Sequence, residues 1–171
     1  MSTATLTAGN QDSQSAEHTS SMQLVSFHLG EEVYGIEIVK VREIILMGEI
    51  TRVPQTPPFV KGLINLRSTV IPVIDLRIRF DLTASDFTSE SRIMVIDVSG
   101  KTIGIIVDAV SEVLRVSNDQ IAPPPPTVAG LEQEYLTGLV KLEDQLLMLL
   151  DVDKMLGKEE TEAIESITTS A

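Results

Sequence analysis

Cysteine and tryptophan are both absent from the chain, and these absences limit the sites that it can build. Without cysteine there is neither a disulfide nor a thiolate ligand for a metal ion. The two histidines, His18 and His28, form no ligand cluster. Aromatic residues make up 4% of the chain, too few for aromatic cages or base-stacking platforms. We therefore expect neither a metal nor an organic cofactor.

Positive charge is also scarce. The chain has 13 Lys and Arg residues against 25 Asp and Glu residues, which gives a net charge of −12. Such a surface repels nucleic acid, and no cluster of Lys and Arg provides a local exception. The partners of the chain are therefore expected to be proteins or small molecules.

Long apolar runs are missing as well. The longest aliphatic run, "LLMLL" at 146–150, is far too short to cross a bilayer. Residues 1–21 are mostly Ser, Thr, Gln and Ala, so they lack the apolar centre of a signal peptide and predict a disordered tail. These patterns suit a cytoplasmic protein that does not insert into a membrane.

Short β-branched and aliphatic segments, separated by Gly, Pro, Asp or Ser, make up most of the remaining sequence. They predict an all-β fold, with strands over 24–29, 33–38, 63–66, 69–76, 92–98, 102–108, 136–142 and 145–152. The segment "VKVREIIL" at 39–46 predicts one or two turns of helix, with Val41 and Ile44 on one face. Asp75 and Asp151 each end a strand and are expected to cap the helical turn that follows.

An internal repeat organises these strands. With Gly35 aligned to Gly104, residues 25–44 match residues 94–113 in their apolar pattern, and Glu43 falls on Glu112. A second alignment, of Gly62 to Gly138, matches "VKGLINLRSTVIPVIDL" with "LTGLVKLEDQLLMLLDV". Two copies of one β unit therefore follow each other along the chain.

The repeat sets the predicted domain boundaries. The first β unit covers about 24–80 and the second about 92–157, with an acidic tail at 158–171. A unit of this size is marginal as an independent core. The two units are therefore expected to pack on each other through a shared apolar seam.

One charged stretch interrupts the apolar pattern, at Asn65 and Arg67 in "KGLINLRSTVIPVIDLR". In the second repeat the matching position is Glu143-Asp144, which predicts a hairpin tip. Arg67-Ser68 is then also a hairpin tip, and its guanidinium points outward. From position alone this is either a solvated turn residue or a fork of donors for carboxylates or carbonyls on a partner.

Four stretches together resemble the CheW family of bacterial chemotaxis coupling proteins: "EEVYGIEIVKVREI", "TRVPQTPPFVKGLINLRSTVIPVIDLR", "GIIVDAVSEVL" and "EYLTGLVKLEDQLLMLLDVDKML". The likeness covers about residues 22–157. It implies two SH3-like five-stranded β-barrels packed together, with short helices in the connections and at the C-terminus.

The resemblance also implies a function. Such proteins are non-enzymatic adaptors, with no catalytic residues, that couple the cytoplasmic tips of chemoreceptors (methyl-accepting chemotaxis proteins) to the regulatory domain of the histidine kinase CheA. They are cytoplasmic and are recruited to receptor arrays at the membrane. The coupling protein of a CheV-like or non-motility chemosensory pathway is the alternative. An enzyme or small-ligand protein would need polar groups that converge on a pocket, and the sequence supplies none.

The resemblance further implies two sets of binding residues. The residues expected to hold the receptor tip are Val41, Glu43, Asn65, Leu66 and Arg67. Those expected to serve the kinase or the seam between the barrels are Gly104, Val107 and Val110. Core packing is the alternative for Val41 and Val110. Family members usually carry Gly after the arginine, whereas this chain has Ser68, which requires either a strained backbone or a different turn.

Overall fold

The computed structural model describes residues 21–80, 82, 86–124, 135–156, 162, 164 and 165. The predicted N-terminal tail, except for residue 21, and most of the predicted C-terminal tail lie outside the described residues. Residue 21 is already the first residue of a strand.

Strands dominate the described residues. They are β1 (Ser21–Leu29), β2 (Glu32–Glu37), β3 (Val41–Leu46), β4 (Val60–Leu66), β5 (Thr69–Asp75), β6 (Arg92–Val98), β7 (Lys101–Val107), β8 (Ala109–Ser117), β9 (Ile121–Ala122), β10 (Leu136–Lys141) and β11 (Leu146–Leu150). One short α-helix, α1 (Leu76–Arg79), follows β5, and 3-10 turns cover Ile38–Lys40, Asn118–Gln120 and Val152–Lys154.

The strands form two sheets, and each closes into a barrel. Barrel 1 has the strand order β3-β6-β7-β5-β4, and barrel 2 has the order β8-β1-β2-β11-β10-β9. Thr51 and Leu63 close barrel 1 through two backbone N–H···O bonds of 2.8 Å each. The two-residue strand β9 closes barrel 2 against β10 and adds a sixth strand to that sheet. The predicted all-β fold of two small barrels is confirmed.

Each barrel takes strands from both sequence repeats. The β6–β7 hairpin of the second repeat lies between β3 and β5 of the first, while the β1–β2 hairpin of the first repeat lies between β8 and β11 of the second. The parallel contacts β2–β11 and β5–β7 join the repeats. The two repeats are therefore interlocked, and the boundary between them along the chain is not a boundary between the barrels.

Apolar residues pack into three groups. The interior of barrel 1 contains Ile64, Ile71, Val73, Ile93, Val95 and Ile106. The interior of barrel 2 contains Leu24, Val33, Val116, Val140, Leu147 and Leu149. A third and larger group, the inter-barrel core, takes residues from both sheets, among them Phe27, Ile36, Ile74, Met94, Ile105 and Val107. An apolar seam is present, but it lies between the two barrels, each of which contains strands of both predicted units.

The inter-barrel core extends beyond residue 157, where the sequence predicts an acidic tail. Ile164 is helical, 3% exposed and part of this core. Beside it, the carboxylate of Glu165 lies 2.6 Å from Lys101 Nζ. This part of the C-terminal segment therefore packs on the domain.

The prediction of a helix over 39–46 is wrong, because only the 3-10 turn Ile38–Lys40 is helical and β3 follows it. The helix-like apolar spacing comes from a β-bulge at Arg42: Val41 pairs with Ile96, whereas Glu43 pairs with Val95. Directly paired residues share a face of the sheet, so the extra residue turns Val41 and Glu43 to opposite faces. Val41 and Ile44 do share a face, but on a bulged strand.

Asp75 and Asp151 cap the helical turns that follow them, as the sequence predicts. Each side chain accepts a hydrogen bond from the backbone N–H two residues later, of Arg77 and of Asp153 respectively. These carboxylates satisfy N–H groups that have no partner inside the turn, and so they stabilise the change from strand to helical turn.

Arg77 is buried, at 2% exposure, in a group of charges that the sequence does not predict. Its Nε and Nη2 atoms donate to the two carboxylate oxygens of Asp75 at 3.1 Å each, and its Nη1 atom donates to Asp108 at 3.3 Å. Asp108 also accepts a hydrogen bond of 2.7 Å from the N–H of Gly30. Burial alone would lower the pKa of Arg77, but the hydrogen bonds and charge of Asp75 and the charge of Asp108 raise it above its ordinary value.

A second contact of the same kind occurs at the equivalent positions of the repeats. In it, a carboxylate stands at the position of the cation Arg77. The alignments place Ser99 at the position of Gly30 and Asp153 at the position of Arg77. The N–H of Ser99 donates to Asp153 at 2.8 Å, and Lys40 Nζ donates to the same carboxylate at 2.9 Å. Each barrel thus fixes a hairpin turn of the other barrel through one carboxylate and one cation.

Tyr34 provides a test of the packing between the barrels. Burial, followed by the charge of Glu32, raises its pKa from 10.0 to about 12. The folded state therefore holds the phenol proton more tightly than the unfolded state, and this stabilisation is complete below pH 10 and is lost as the pH rises toward 12. Urea unfolding between pH 10 and pH 12 should show a steeper loss of stability in the wild type than in Tyr34→Phe. Equal slopes would show that Tyr34 is not buried in solution.

Candidate functional site

The β4–β5 hairpin ends in a two-residue turn formed by Arg67 and Ser68. Their φ angles are 51° and 72°, the pair of positive values that a tight type I′ hairpin turn requires. The side chain of Arg67 is 73% exposed. The prediction that Arg67 occupies an outward-pointing hairpin tip is confirmed, and Ser68 adopts the conformation that usually favours glycine.

Glu43 on β3 holds the Arg67 guanidinium from across the mouth of barrel 1. Nη1 donates to Oε1 at 2.6 Å and Nη2 donates to Oε2 at 3.0 Å, so the pair is bidentate. These hydrogen bonds, assisted by the opposite charges, lower the pKa of Glu43 and raise the pKa of Arg67. An exposed pair adds little to stability. Its physical effect is to orient a long, flexible side chain.

Three neighbouring side chains complete this end of barrel 1. Asn65 and Val70 face each other across the hairpin and are both exposed, Val70 at 44%. Leu66 is half-buried against the interior of barrel 1. We name Glu43, Asn65, Arg67, Ser68 and Val70 the tip surface. Sequence reasoning missed Val70, although a two-residue turn at 67–68 sets the register that pairs it with Asn65.

Val41 lies apart from the tip surface. It is half-buried, and its contacts are with the inter-barrel core, on the opposite face of β3 from Glu43. Of the five residues expected to hold the receptor, Glu43, Asn65 and Arg67 belong to the tip surface. Leu66 packs beside it against the interior of barrel 1, and Val41 occupies a packing position.

Comparison with known proteins agrees with this architecture. A family model described as a CheW-like domain matches residues 23–160, which is most of the chain. The chain belongs to the CheW family. The chemotaxis protein CheW of Klebsiella aerogenes is 38% identical over 158 residues, which cover 92% of this chain and 95% of that protein. The chemotaxis protein CheW of Treponema pallidum is 33% identical over 156 residues, which cover 89% of this chain and 92% of that protein.

A solved structure gives the same result for the fold. The scaffolding protein TtCheW of Thermoanaerobacter tengcongensis superposes with a TM-score of 0.75 at 35% identity, covering 82% of this chain and 91% of that chain. As a member of the CheW family, the protein is a chemotaxis coupling protein of the scaffold type.

Three residues of this CheW-family chain were expected to contact the kinase or to form the seam between the barrels. They lie mostly in the protein interior. Gly104 and Val107 are buried, and Val107 belongs to the inter-barrel core. A Cβ on Gly104 would lie 2.8 Å from Ile93 Cγ2, so the glycine lets neighbouring strands approach closely. Val110 is half-buried against the same core. Their present contacts are those of packing residues.

Two further findings concern the part of the chain that the structure describes. Within it, no group of three or more His, Asp and Glu residues is placed to hold a metal ion. None of its helices is long and apolar enough to span a membrane.

Proposed function

We propose that this CheW-family protein is a non-enzymatic adaptor that couples the cytoplasmic tips of chemoreceptors to the histidine kinase CheA. It would act in the cytoplasm at membrane receptor arrays and support receptor control of CheA autophosphorylation. The observation that carries the proposal is the exposed Arg67 guanidinium, oriented by Glu43 at the end of a two-residue hairpin.

The geometry of this ion pair leaves donors for a partner. A guanidinium has five N–H donors, and Glu43 takes one from each of the two terminal nitrogens. The Nε–H and the outer N–H groups remain for a carboxylate or carbonyl oxygen on a receptor helix. Since Glu43 already restricts the side chain, docking loses less rotamer entropy than it would with a free arginine.

Support for two simultaneous partners comes from the interlocked barrels. Barrels 1 and 2 share the inter-barrel core, so a receptor bound at the tip surface and a kinase bound elsewhere would keep a fixed relative position. Binding of the first partner then lowers the entropic cost of binding the second. We place the kinase contact near Val110, at the start of β8, with Gly104 and Val107 supporting that region from inside.

Arg67→Glu tests the receptor site. The variant places a carboxylate beside Glu43, removes the oriented donors and repels acidic groups on a partner. Co-sedimentation with chemoreceptor-containing membranes should weaken at least about tenfold, while the circular dichroism spectrum stays unchanged. Arg115→Glu is the matched control, because it makes the same charge change at an exposed position of β8 in barrel 2. Retained binding by Arg67→Glu would move the receptor site elsewhere.

The kinase part of the proposal has its own test. CheA autophosphorylation, reconstituted with receptor membranes, should respond to the receptor only when this protein is present. The Arg67→Glu variant should give no response. An equal response without the protein would contradict the adaptor function.

A further inference from the structure

The hairpin at the tip surface differs from the other two-residue hairpins in the described residues. The β1–β2 turn has Gly30 at φ 60°, and the β6–β7 turn has Ser99 and Gly100 at 50° and 84°. The Arg67-Ser68 turn has two positive φ values and no glycine. A left-handed backbone brings the Cβ of an ordinary residue close to its own carbonyl, and glycine avoids this cost.

The side chain of Ser68 gains nothing inside the described structure that would offset this strain. It is exposed, and within that part of the chain its hydroxyl has no hydrogen-bond partner. Its sequence neighbour Arg67 carries the oriented guanidinium. Strained residues that gain nothing within their own fold are characteristic of binding sites, where the side chain acts on another molecule.

We infer that Ser68 contacts the partner directly and contributes to its selection. The inference rests on the proposed function: the Ser68 hydroxyl and the free N–H edge of Arg67 form adjacent donors for a carboxylate or backbone carbonyl on the chemoreceptor tip. A hydroxyl both donates and accepts, so it also fits an amide or hydroxyl beside that acceptor. A receptor tip that lacks the matching group leaves polar atoms unpaired and binds less tightly.

The consequence is a conflict between stability and binding that two variants can reveal. Ser68→Gly removes both the strain and the hydroxyl, so the urea midpoint should rise while the dissociation constant for receptor-containing membranes increases about three- to tenfold. Ser68→Ala keeps the Cβ and the strained turn but lacks the hydroxyl. It should lose the same affinity without the gain in urea midpoint.

Ser99→Gly is the matched control, because it relieves a positive φ in the β6–β7 turn, away from the tip surface. It should raise the urea midpoint and leave receptor affinity unchanged. If Ser68→Gly raises the midpoint while affinity stays at the wild-type value, Ser68 makes no partner contact and the inference is wrong. A lower midpoint for Ser68→Gly would overturn the strain on which the inference rests.

The failure of this inference can be told from the failure of the proposed function. If Arg67→Glu loses receptor binding and both Ser68 variants retain it, only the role of Ser68 is disproved. If Arg67→Glu itself retains binding, the receptor site is elsewhere, and the inference about Ser68 fails with it.

Discussion

The Gly62→Ala variant should lose at least about 4 kcal/mol of its free energy of unfolding, an exceptional cost for one methyl group. Gly62 has φ 150°, and a Cβ there would lie 2.1 Å from the carbonyl oxygen of Thr51 and 2.9 Å from Ile50 Cγ2. The clash is with backbone at the two hydrogen bonds that join Thr51 to Leu63. The clash can therefore be removed only if the backbone contact between Thr51 and Leu63, which closes barrel 1, opens.

Two other glycines provide matched comparisons for Gly62→Ala in urea unfolding. Gly138 is its equivalent in barrel 2, but there a Cβ would clash with a side-chain methyl, Ile121 Cγ2 at 2.5 Å, while the nearest backbone atom, Ala122 O, is at 3.1 Å. Gly138→Ala should therefore cost clearly less. Gly48 has no atom within 4 Å of a built Cβ, so Gly48→Ala should be close to neutral. Equal losses at Gly62 and Gly138 would show that barrel closure does not depend on this backbone contact.

Replacement of Arg77 by methionine should have the second large effect, a loss of about 3–5 kcal/mol. Methionine has a similar length but no charge, so the carboxylate of Asp75, at 1% exposure, would remain buried without its cation. Asp108 would also lose its bond to Arg77 while still bonded to Gly30. The cost comes from the uncompensated buried charge and not from lost volume.

Lys40→Met is the control for this variant, because Lys40 pairs with Asp153 at the matching position but both side chains are partly exposed. It should lower the urea midpoint far less than Arg77→Met does, because water screens an exposed ion pair. In the double variant Asp75→Asn/Arg77→Met, removal of the second charge should recover part of the loss. If urea unfolding gives equal losses for Arg77→Met and Lys40→Met, the buried charges do not control stability.

Much of the fold follows from local sequence patterns. The pattern over 92–98 predicts a strand, and β6 occupies these residues because Met94, Ile96 and Val98 face the inter-barrel core while Ile93 and Val95 face the interior of barrel 1. The repeat can be recognised in the sequence because each half forms the same hairpins and therefore has the same apolar pattern. The hairpin tip at Arg67 follows from comparison of the two halves.

Other features depend on contacts that a linear pattern does not contain. The sequence does not predict β3 and β8 as strands: the bulge disrupts the alternation of β3, and much of the outer face of β8 is exposed. The exchange of strands between repeats cannot be read from the sequence, because the same residues are buried whether each barrel forms from one repeat or from both. Of the site, Arg67 was predictable, whereas its bidentate geometry with Glu43 required the closed barrel. The buried group around Arg77 required Asp108 from the other repeat.

The interlocking of the repeats determines when this protein can fold as it leaves the ribosome. Strands β3, β4 and β5 are synthesised before Arg92, yet the β6–β7 hairpin that joins β3 to β5 is synthesised afterwards. The hairpin β1–β2 can pair on both sides only after β8 and β11 have been synthesised. Pairings so distant in sequence form slowly. The nascent chain must therefore present unpaired strand edges during translation, a state open to aggregation, and folding is completed only when β11 has been released.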